Sequence, residues 1–131
     1  MLPCLEIQSP WRFALTMDDN EATETVRDSL AHNIELDEVG LWGVVGWFKL
    51  YAPQMPVAEV RRRTLAVVRE LHSRGLLEAG DLGPDGRFVP WGCSTDATLN
   101  RIEEAWDSLS REPSINDVAW FYKAPSSQAD V

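Results

Sequence analysis

Apolar residues recur at helical spacing in several segments of the chain, and turn-forming residues separate these segments. The first segment spans about residues 20–32. Ala22, Val26 and Leu30 fall at i, i+4 and i+8, which is the spacing of an amphipathic helix. The two aspartates that precede the segment offer an N-cap. The pattern therefore predicts a first helix with one buried face.

A second helix is predicted from a cap at Asp37 to about Tyr51. This segment is apolar nearly all the way round, so we expect it to be the buried helix. Gly40, Gly43 and Gly46 recur in it, although a glycine in a helix interior costs about 1 kcal/mol relative to alanine. Close approach of a neighbouring backbone is the explanation we expect. A ligand groove, or strand structure in part of the segment, are the alternatives.

The clearest helical pattern spans about residues 57–74. Pro56 is suited to the start of a helix, and Gly75 is suited to the C-cap. One face of the predicted helix carries Val57, Val60, Thr64, Val67, Val68 and Leu71. We expect this face to pack in the core.

Two short strand candidates follow, at residues 76–81 and 87–91. Between them Gly83-Pro84-Asp85-Gly86 is strong turn chemistry, so a hairpin is predicted. A looser alternation of apolar and polar residues predicts another short strand at about 10–17.

The last part of the chain predicts a fourth helix and a final strand. Ser94, Thr95 or Asp96 can cap the helix, and Pro113 interrupts it. The apolar face of this helix carries Leu99, Ile102, Trp106 and Leu109. Residues 118–122 are predicted to form a strand. Residues 1–123 are expected to form a single domain, and residues 124–131 a flexible tail.

This order of elements resembles a winged helix-turn-helix domain over about residues 20–91. The most specific part of the resemblance is Leu71-His72-Ser73-Arg74-Gly75-Leu76-Leu77, which is similar to the end of a recognition helix that enters the wing. The resemblance implies an α+β, winged-helix-like fold: three helices followed by a β-hairpin wing, plus a fourth helix and a short C-terminal strand.

The resemblance also implies a DNA-binding surface on the third helix and the wing. Its candidate positions are Arg61, Arg62, Arg63 and Arg69 on the helix and Arg87 on the hairpin. A DNA-binding regulator, dimeric through the fourth helix and C-terminal strand, would need Arg62, Arg69 and Arg87 to be exposed and unpaired. Arg61 lies nearer the apolar face, where it can extend along a neighbouring helix or pair with a carboxylate from another element.

The charge pattern disfavours that function. The formal net charge is −9, and residues 56–75 form the one basic segment, with five Arg and two Glu. Within it Glu59–Arg63 and Glu70–Arg74 are spaced i, i+4 with glutamate first, which is the favourable order for helical ion pairs. Such pairs neutralise the face that would meet phosphate. An acidic molecule also repels nucleic acid at long range and attracts basic partners.

The residues that usually carry catalysis or bind metals are scarce in this chain. It has two histidines, His32 and His72, and two cysteines, Cys4 and Cys93, and none of these four forms a metal-binding or disulfide pattern with another. A nucleophilic Cys93 would need a base that the sequence does not supply. We therefore expect no catalytic residues, no metal site and no cofactor, and we do not expect an enzyme.

An interaction protein is the function we favour from the sequence. Six tryptophans are a high number, and although most are expected in the core, an exposed one can anchor a partner. Trp106, with Glu103 and Asp107 on the same helix, is the candidate: an apolar anchor rimmed by acid. The concrete hypothesis is an acidic inhibitor of a basic protein, such as an immunity protein or antitoxin. The DNA-binding regulator remains the alternative, and a homodimer is possible in either case.

Two cysteines fit a reducing compartment, and the N-terminal residues lack the features of a signal peptide. No apolar run approaches the roughly 18 residues that a membrane-spanning helix requires. The expected location is therefore the cytoplasm, without a membrane partner.

Overall fold

A computed structural model of the chain describes residues 17–114 and 117–124. In these ranges the chain forms α1 (Asp19–Asn33), β1 (Val39–Gly40), α2 (Leu41–Tyr51), α3 (Val57–Ser73), β2 (Leu77–Leu82), β3 (Phe88–Pro90), α4 (Thr95–Asp107) and β4 (Trp120–Lys123). The α+β class is confirmed, and the helices and hairpin follow the predicted order. The strand expected at 10–17 lies outside the described residues except for Met17, whose amide donates to the Tyr51 carbonyl oxygen at 2.7 Å.

Helix α1 begins as the sequence predicts. The carboxylate of Asp18 accepts a hydrogen bond from the Glu21 amide at 2.7 Å, and the Glu21 side chain accepts one from the Asp18 amide. This reciprocal capping box satisfies two amides that a helix start leaves without partners. Ala22, Val26 and Leu30 are fully buried, so the predicted apolar face is the face that meets the core.

The predicted start of the second helix is wrong. Val39 and Gly40 form β1 and pair with Phe121 and Trp120 of β4, and α2 starts only at Leu41. Strand structure in part of this segment, one of the alternatives above, is what the chain adopts. Pairing with residues some eighty positions away overrides the local helical pattern.

Helix α2 is also less buried than the sequence predicts. Leu41, Val44, Val45 and Phe48 face the core, whereas the side chains of Trp42 and Leu50 are 38% and 55% exposed. The expected explanation of its glycines is wrong as well. A Cβ at Gly40 would meet the Trp42 indole at 2.6 Å, but one at Gly43 would have only Val39 within 4 Å, and one at Gly46 nothing.

Helix α3 packs against α1, α2, α4 and β2. Val60, Thr64, Val67, Val68 and Leu71 of its predicted apolar face are buried, but Val57 at its start is 68% exposed. The helix ends as the sequence predicts: Gly75 has a φ of 77°, and the Leu76 amide donates to the Leu71 carbonyl oxygen. This is the hydrogen-bond pattern of a glycine-terminated helix.

The strands form one antiparallel sheet in the order β1-β4-β2-β3. The predicted hairpin is present as β2 and β3, and the predicted last strand is present as β4. Trp120 and Phe121 of β4 pair with β1 on one side and with β2 on the other, so this part of β4 offers no free edge for the dimer contact considered above. Ala124 donates to the Leu76 carbonyl oxygen, and residues 125–131 of the expected tail lie outside the described residues.

The two faces of the sheet differ. Leu77, Ala79 and Phe121 are buried on the face that meets the helices. Gly80 lies on the opposite face, where a Cβ would come within 2.2 Å of the Val89 carbonyl oxygen and 2.9 Å of the Phe88 ring. The close approach that was expected at the α2 glycines therefore occurs at Gly80.

Gly80→Ala and Gly46→Ala should change stability in opposite directions. The methyl group at position 80 has to displace backbone, so we expect the free energy of unfolding to fall by about 2 kcal/mol or more. At position 46 the methyl group meets nothing and favours the helix, so we expect a rise of about 0.5–1 kcal/mol. Urea denaturation of both variants measures this, and equal effects would contradict the described packing.

Candidate functional site

A groove of about 760 Å³ lies where the end of α2, the start of α3 and the end of α4 converge. Val45, Met55 and Val60 are buried beneath it, and Trp106 forms part of its wall. Val57, exposed at the start of α3, also lines it. The groove is therefore an apolar concavity of the size that small ligands and partner side chains occupy.

Local turns bring these walls together. The Met55 amide donates to the Ala52 carbonyl oxygen, which turns the chain between α2 and α3, and Pro56 precedes the first residue of α3. At the other wall α4 ends at Asp107, and the Leu109 amide donates to the Trp106 carbonyl oxygen. The residues that follow, 109–113, then line the groove instead of extending the helix.

Ion pairs surround the groove. Lys49 Nζ lies 2.7 Å from Glu112 Oε1, which joins the end of α2 to the residues after α4. Arg61 pairs with Asp107, and its guanidinium carbon lies 5.6 Å from the centroid of the Trp106 ring. Of the two arrangements considered for Arg61, it pairs with a carboxylate of another helix, and it also stacks on an aromatic ring.

A third ion pair fixes the chain beyond the groove. Arg111 Nη1 lies 2.6 Å from Asp117 Oδ2, and the Ser114 amide donates to the same carboxylate oxygen. Hydrogen bonding from Arg111, with the Ser114 amide, lowers the pKa of Asp117 to about 2.

The predicted partner-binding residues are only partly brought together here. Trp106 and Asp107 line the groove, whereas the half-buried Glu103 lies one turn earlier on α4 and does not. Asp107 is engaged by Arg61. The rim therefore contains paired charges of both signs, from the Lys49–Glu112 and Arg61–Asp107 ion pairs.

The three arginines of the DNA-binding alternative are exposed, but each faces a carboxylate. Arg62 pairs with Glu59, and Arg69 Nη1 lies 2.8 Å from Asp96 Oδ1. Arg87, on the hairpin, has Asp85 at 3.7 Å. The condition that they be unpaired is not met.

The helical ion pairs predicted on α3 are present. Arg63 Nε lies 2.6 Å from Glu59 Oε2, and Arg74 Nη1 lies 3.2 Å from Glu70 Oε2. Arg63 also donates to the side chain of Thr23 on α1 at 2.8 Å, so this arginine joins two helices. The basic segment of the sequence is therefore largely neutralised within the fold.

His72 is the most enclosed ionisable group that the sequence singled out. Its side chain is 9% exposed, and Nδ1 lies 2.7 Å from Thr95 Oγ1, while Nε2 lies 3.2 Å from Glu78 Oε1. These contacts join α3 to the start of α4 and to β2. Cys93 lies nearby, with its Sγ 3.7 Å from the Trp91 carbonyl oxygen. Both ring nitrogens of His72 therefore have polar partners within the fold, as expected of a packed histidine.

Sequence reasoning missed most of the groove. Lys49 and Val57 lie on different helices and Glu112 lies beyond the end of α4, and the sequence pattern predicts Val57 on the buried face of α3. The one available signal was the pair of prolines, Pro53 and Pro56, which predicts a sharp turn between two helices and thus a concavity beside it.

Comparisons with known proteins do not extend this description: no protein family, no curated protein and no solved structure matches the chain. Within residues 17–114 and 117–124, no group of three or more His, Cys, Asp or Glu side chains is arranged to hold a metal ion. No helix in the described part of the chain is long and apolar enough to cross a membrane.

The ion pairs of Glu59 predict part of the acid sensitivity of the protein. Hydrogen bonds from Arg62 and then Arg63 lower the pKa of Glu59 from 4.5 to about 2. A lowered pKa in the folded state stabilises the fold fully above pH 4.5, and this contribution disappears as the pH falls to about 2. Glu59→Gln should therefore lose less stability than wild type across that window, as measured by urea denaturation at a series of pH values.

Glu24→Gln is the matched control for the change in net charge. Glu24 is exposed on α1 and has no ion-pair partner among the described residues. We expect the free energy of unfolding of this variant to depend on pH as it does in wild type. If the free energy of unfolding of Glu59→Gln falls with decreasing pH as steeply as that of wild type, the role given to the Glu59 ion pairs is contradicted.

Proposed function

We propose that this chain is a protein-binding module that holds an apolar segment of a basic partner in the groove between α2, α3 and α4. The observation that carries the proposal is the groove itself. It places the half-buried ring of Trp106 beside the exposed side chain of Val57, over a buried apolar floor. Aromatic side chains in such concave positions are the usual anchors of protein interfaces.

The distribution of charges supports a basic partner. In the described ranges every Lys and Arg side chain except Lys123 lies within 4.0 Å of a carboxylate oxygen. Glu103, one turn before Trp106 on α4, and its neighbour Glu104 have no such partner there, and neither has Glu24 on α1. The surface that remains after internal pairing is therefore negative, and it favours association with positive charge.

Glu103 and Trp106 thus take complementary parts in the proposal. Trp106 supplies apolar contact area, and Glu103 and Glu104 supply carboxylates that a partner's Lys or Arg can meet. Asp107 acts indirectly, because its ion pair with Arg61 keeps that guanidinium over the Trp106 ring. An inhibitor that neutralises a cationic toxin in the cytoplasm is one concrete form of such a module.

The alternative, a DNA-binding regulator, draws support from the order of the helices and hairpin. It is weakened by the carboxylates beside Arg62, Arg69 and Arg87. Phosphate would have to displace these carboxylates, and it would approach against the net charge of the molecule.

Two variants with equally exposed apolar side chains test the groove. Val57 in the groove and Leu36 outside it are both 68% exposed, and substitution by aspartate adds the same charge at each. The probe is a fluorescein-labelled amphipathic peptide of leucine and lysine, about 18 residues long, which forms about five helical turns. We expect Val57→Asp to weaken its binding about tenfold or more and Leu36→Asp to change it less than about twofold.

Fluorescence anisotropy at low and moderate salt separates the outcomes. Binding that both variants retain and that salt abolishes would be unspecific attraction to an acidic surface, and it would overturn the proposal. A matched peptide of leucine and glutamate should not bind. Binding of duplex DNA that weakens in Arg62→Ala and Arg69→Ala would instead favour the regulator.

A further inference from the structure

A second concavity lies on the sheet and shares no residue with the groove. Its volume is about 490 Å³, and it is lined by the hairpin at Arg87, Phe88 and Pro90, by Tyr122 and Lys123 of β4, and by Glu38 before β1. This size falls in the range of small-molecule sites. We call it the sheet pocket.

The floor of the sheet pocket is aromatic because of the strand register. Gly80 pairs with Trp120 and Pro90, and Phe88 pairs with Leu82, so Phe88, Pro90 and Tyr122 share the face opposite the helices. Since Gly80 has no side chain, the Phe88 ring reaches across β2 and meets Tyr122 edge-on, with the ring centroids 5.6 Å apart. Both rings are half-buried in the described structure.

The sheet pocket also contains a cation that has no ion-pair partner among the described residues. Lys123 alone, among the Lys and Arg residues of the described ranges, has no carboxylate oxygen within 4.0 Å. Its ammonium nitrogen lies 5.8 Å from the centroid of the Tyr122 ring. Arg87 is a second cation at the pocket, and its pair with Asp85, at 3.7 Å between highly exposed groups, is weak.

We propose that the sheet pocket binds a small planar aromatic anion, with its ring against Tyr122 and Phe88 and its carboxylate or phosphate at Lys123. The two rings, inclined at 64° to each other, supply apolar area. Lys123 supplies a charge that has no carboxylate oxygen within 4.0 Å among the described residues. Glu38 is the one carboxylate among the described residues that line the pocket, and a carboxylate there can accept a hydrogen bond from an N–H group on the ring.

The surrounding charge sets a limit on the ligand. The rest of the molecule is strongly negative, so each further negative charge on the ligand adds repulsion while Lys123 and Arg87 remain the only cations at the described pocket. A ligand with one carboxylate or one phosphate group should therefore bind better than a triphosphate with the same ring.

Titrations followed by amide chemical shifts test the proposal at low salt. The probes are indole-3-carboxylate and adenosine 5′-monophosphate, with adenosine and inorganic phosphate as controls that lack the anion or the ring. We expect at least one of the two aromatic anions to bind with a Kd on the order of 1 mM or tighter, and both controls to bind more weakly. Which probe binds identifies the anion as a carboxylate or a phosphate.

Substitutions assign the roles of the ring and the charge. Lys123→Met should weaken binding about fivefold or more, and Tyr122→Leu should do so through loss of stacking. Arg27→Met, which removes a cation of α1 that does not line the sheet pocket, should not alter binding. The proposal is overturned if neither aromatic anion binds at about 10 mM, if adenosine binds as well as its monophosphate and indole-3-carboxylate does not bind, or if Lys123→Met leaves binding unchanged.

Discussion

The burial of one face of α3 is the constraint on which the rest of the structure depends. Through Val60, Thr64, Val67, Val68 and Leu71 this helix packs against the other helices and against β2. Val57, the first residue of the helix, is not covered by this packing and lies exposed at the groove. The opposite face then carries the arginines, and Glu59, Glu70 and Asp96 neutralise most of their charge.

Local patterns were enough to predict α1 and α3 within a residue or two, and the start of α4, because each has a cap and a periodic apolar face. The end of α4 was predicted too late: the helix stops at Asp107, before Leu109 and well before Pro113. They failed at Val39 and Gly40, where pairing with β4 outweighs helix formation. They also failed for the α2 glycines, since a sequence does not say what stands opposite a missing Cβ; the close approach occurs at Gly80 instead. The resemblance to a winged helix remains a prediction.

Only the part of the candidate site that lies on a single helix could be predicted from the sequence. Trp106 and Asp107 share α4, so their proximity follows from helical spacing. Arg61 comes from another helix, and neither its ion pair with Asp107 nor its stacking on Trp106 can be read from spacing. Likewise, the sequence does not show that Lys123 lacks a carboxylate partner. This depends on where all the described acidic side chains lie in the folded molecule.

The central claim is that partner recognition takes place at the groove, while the unpaired carboxylates attract the partner from a distance. The most direct measurement is a map of backbone amide chemical shifts on adding the leucine–lysine peptide. We predict that the largest changes fall in residues 52–61 and 106–113, which border the groove. Largest changes along the acidic residues of α1, with none at the groove, would contradict the account.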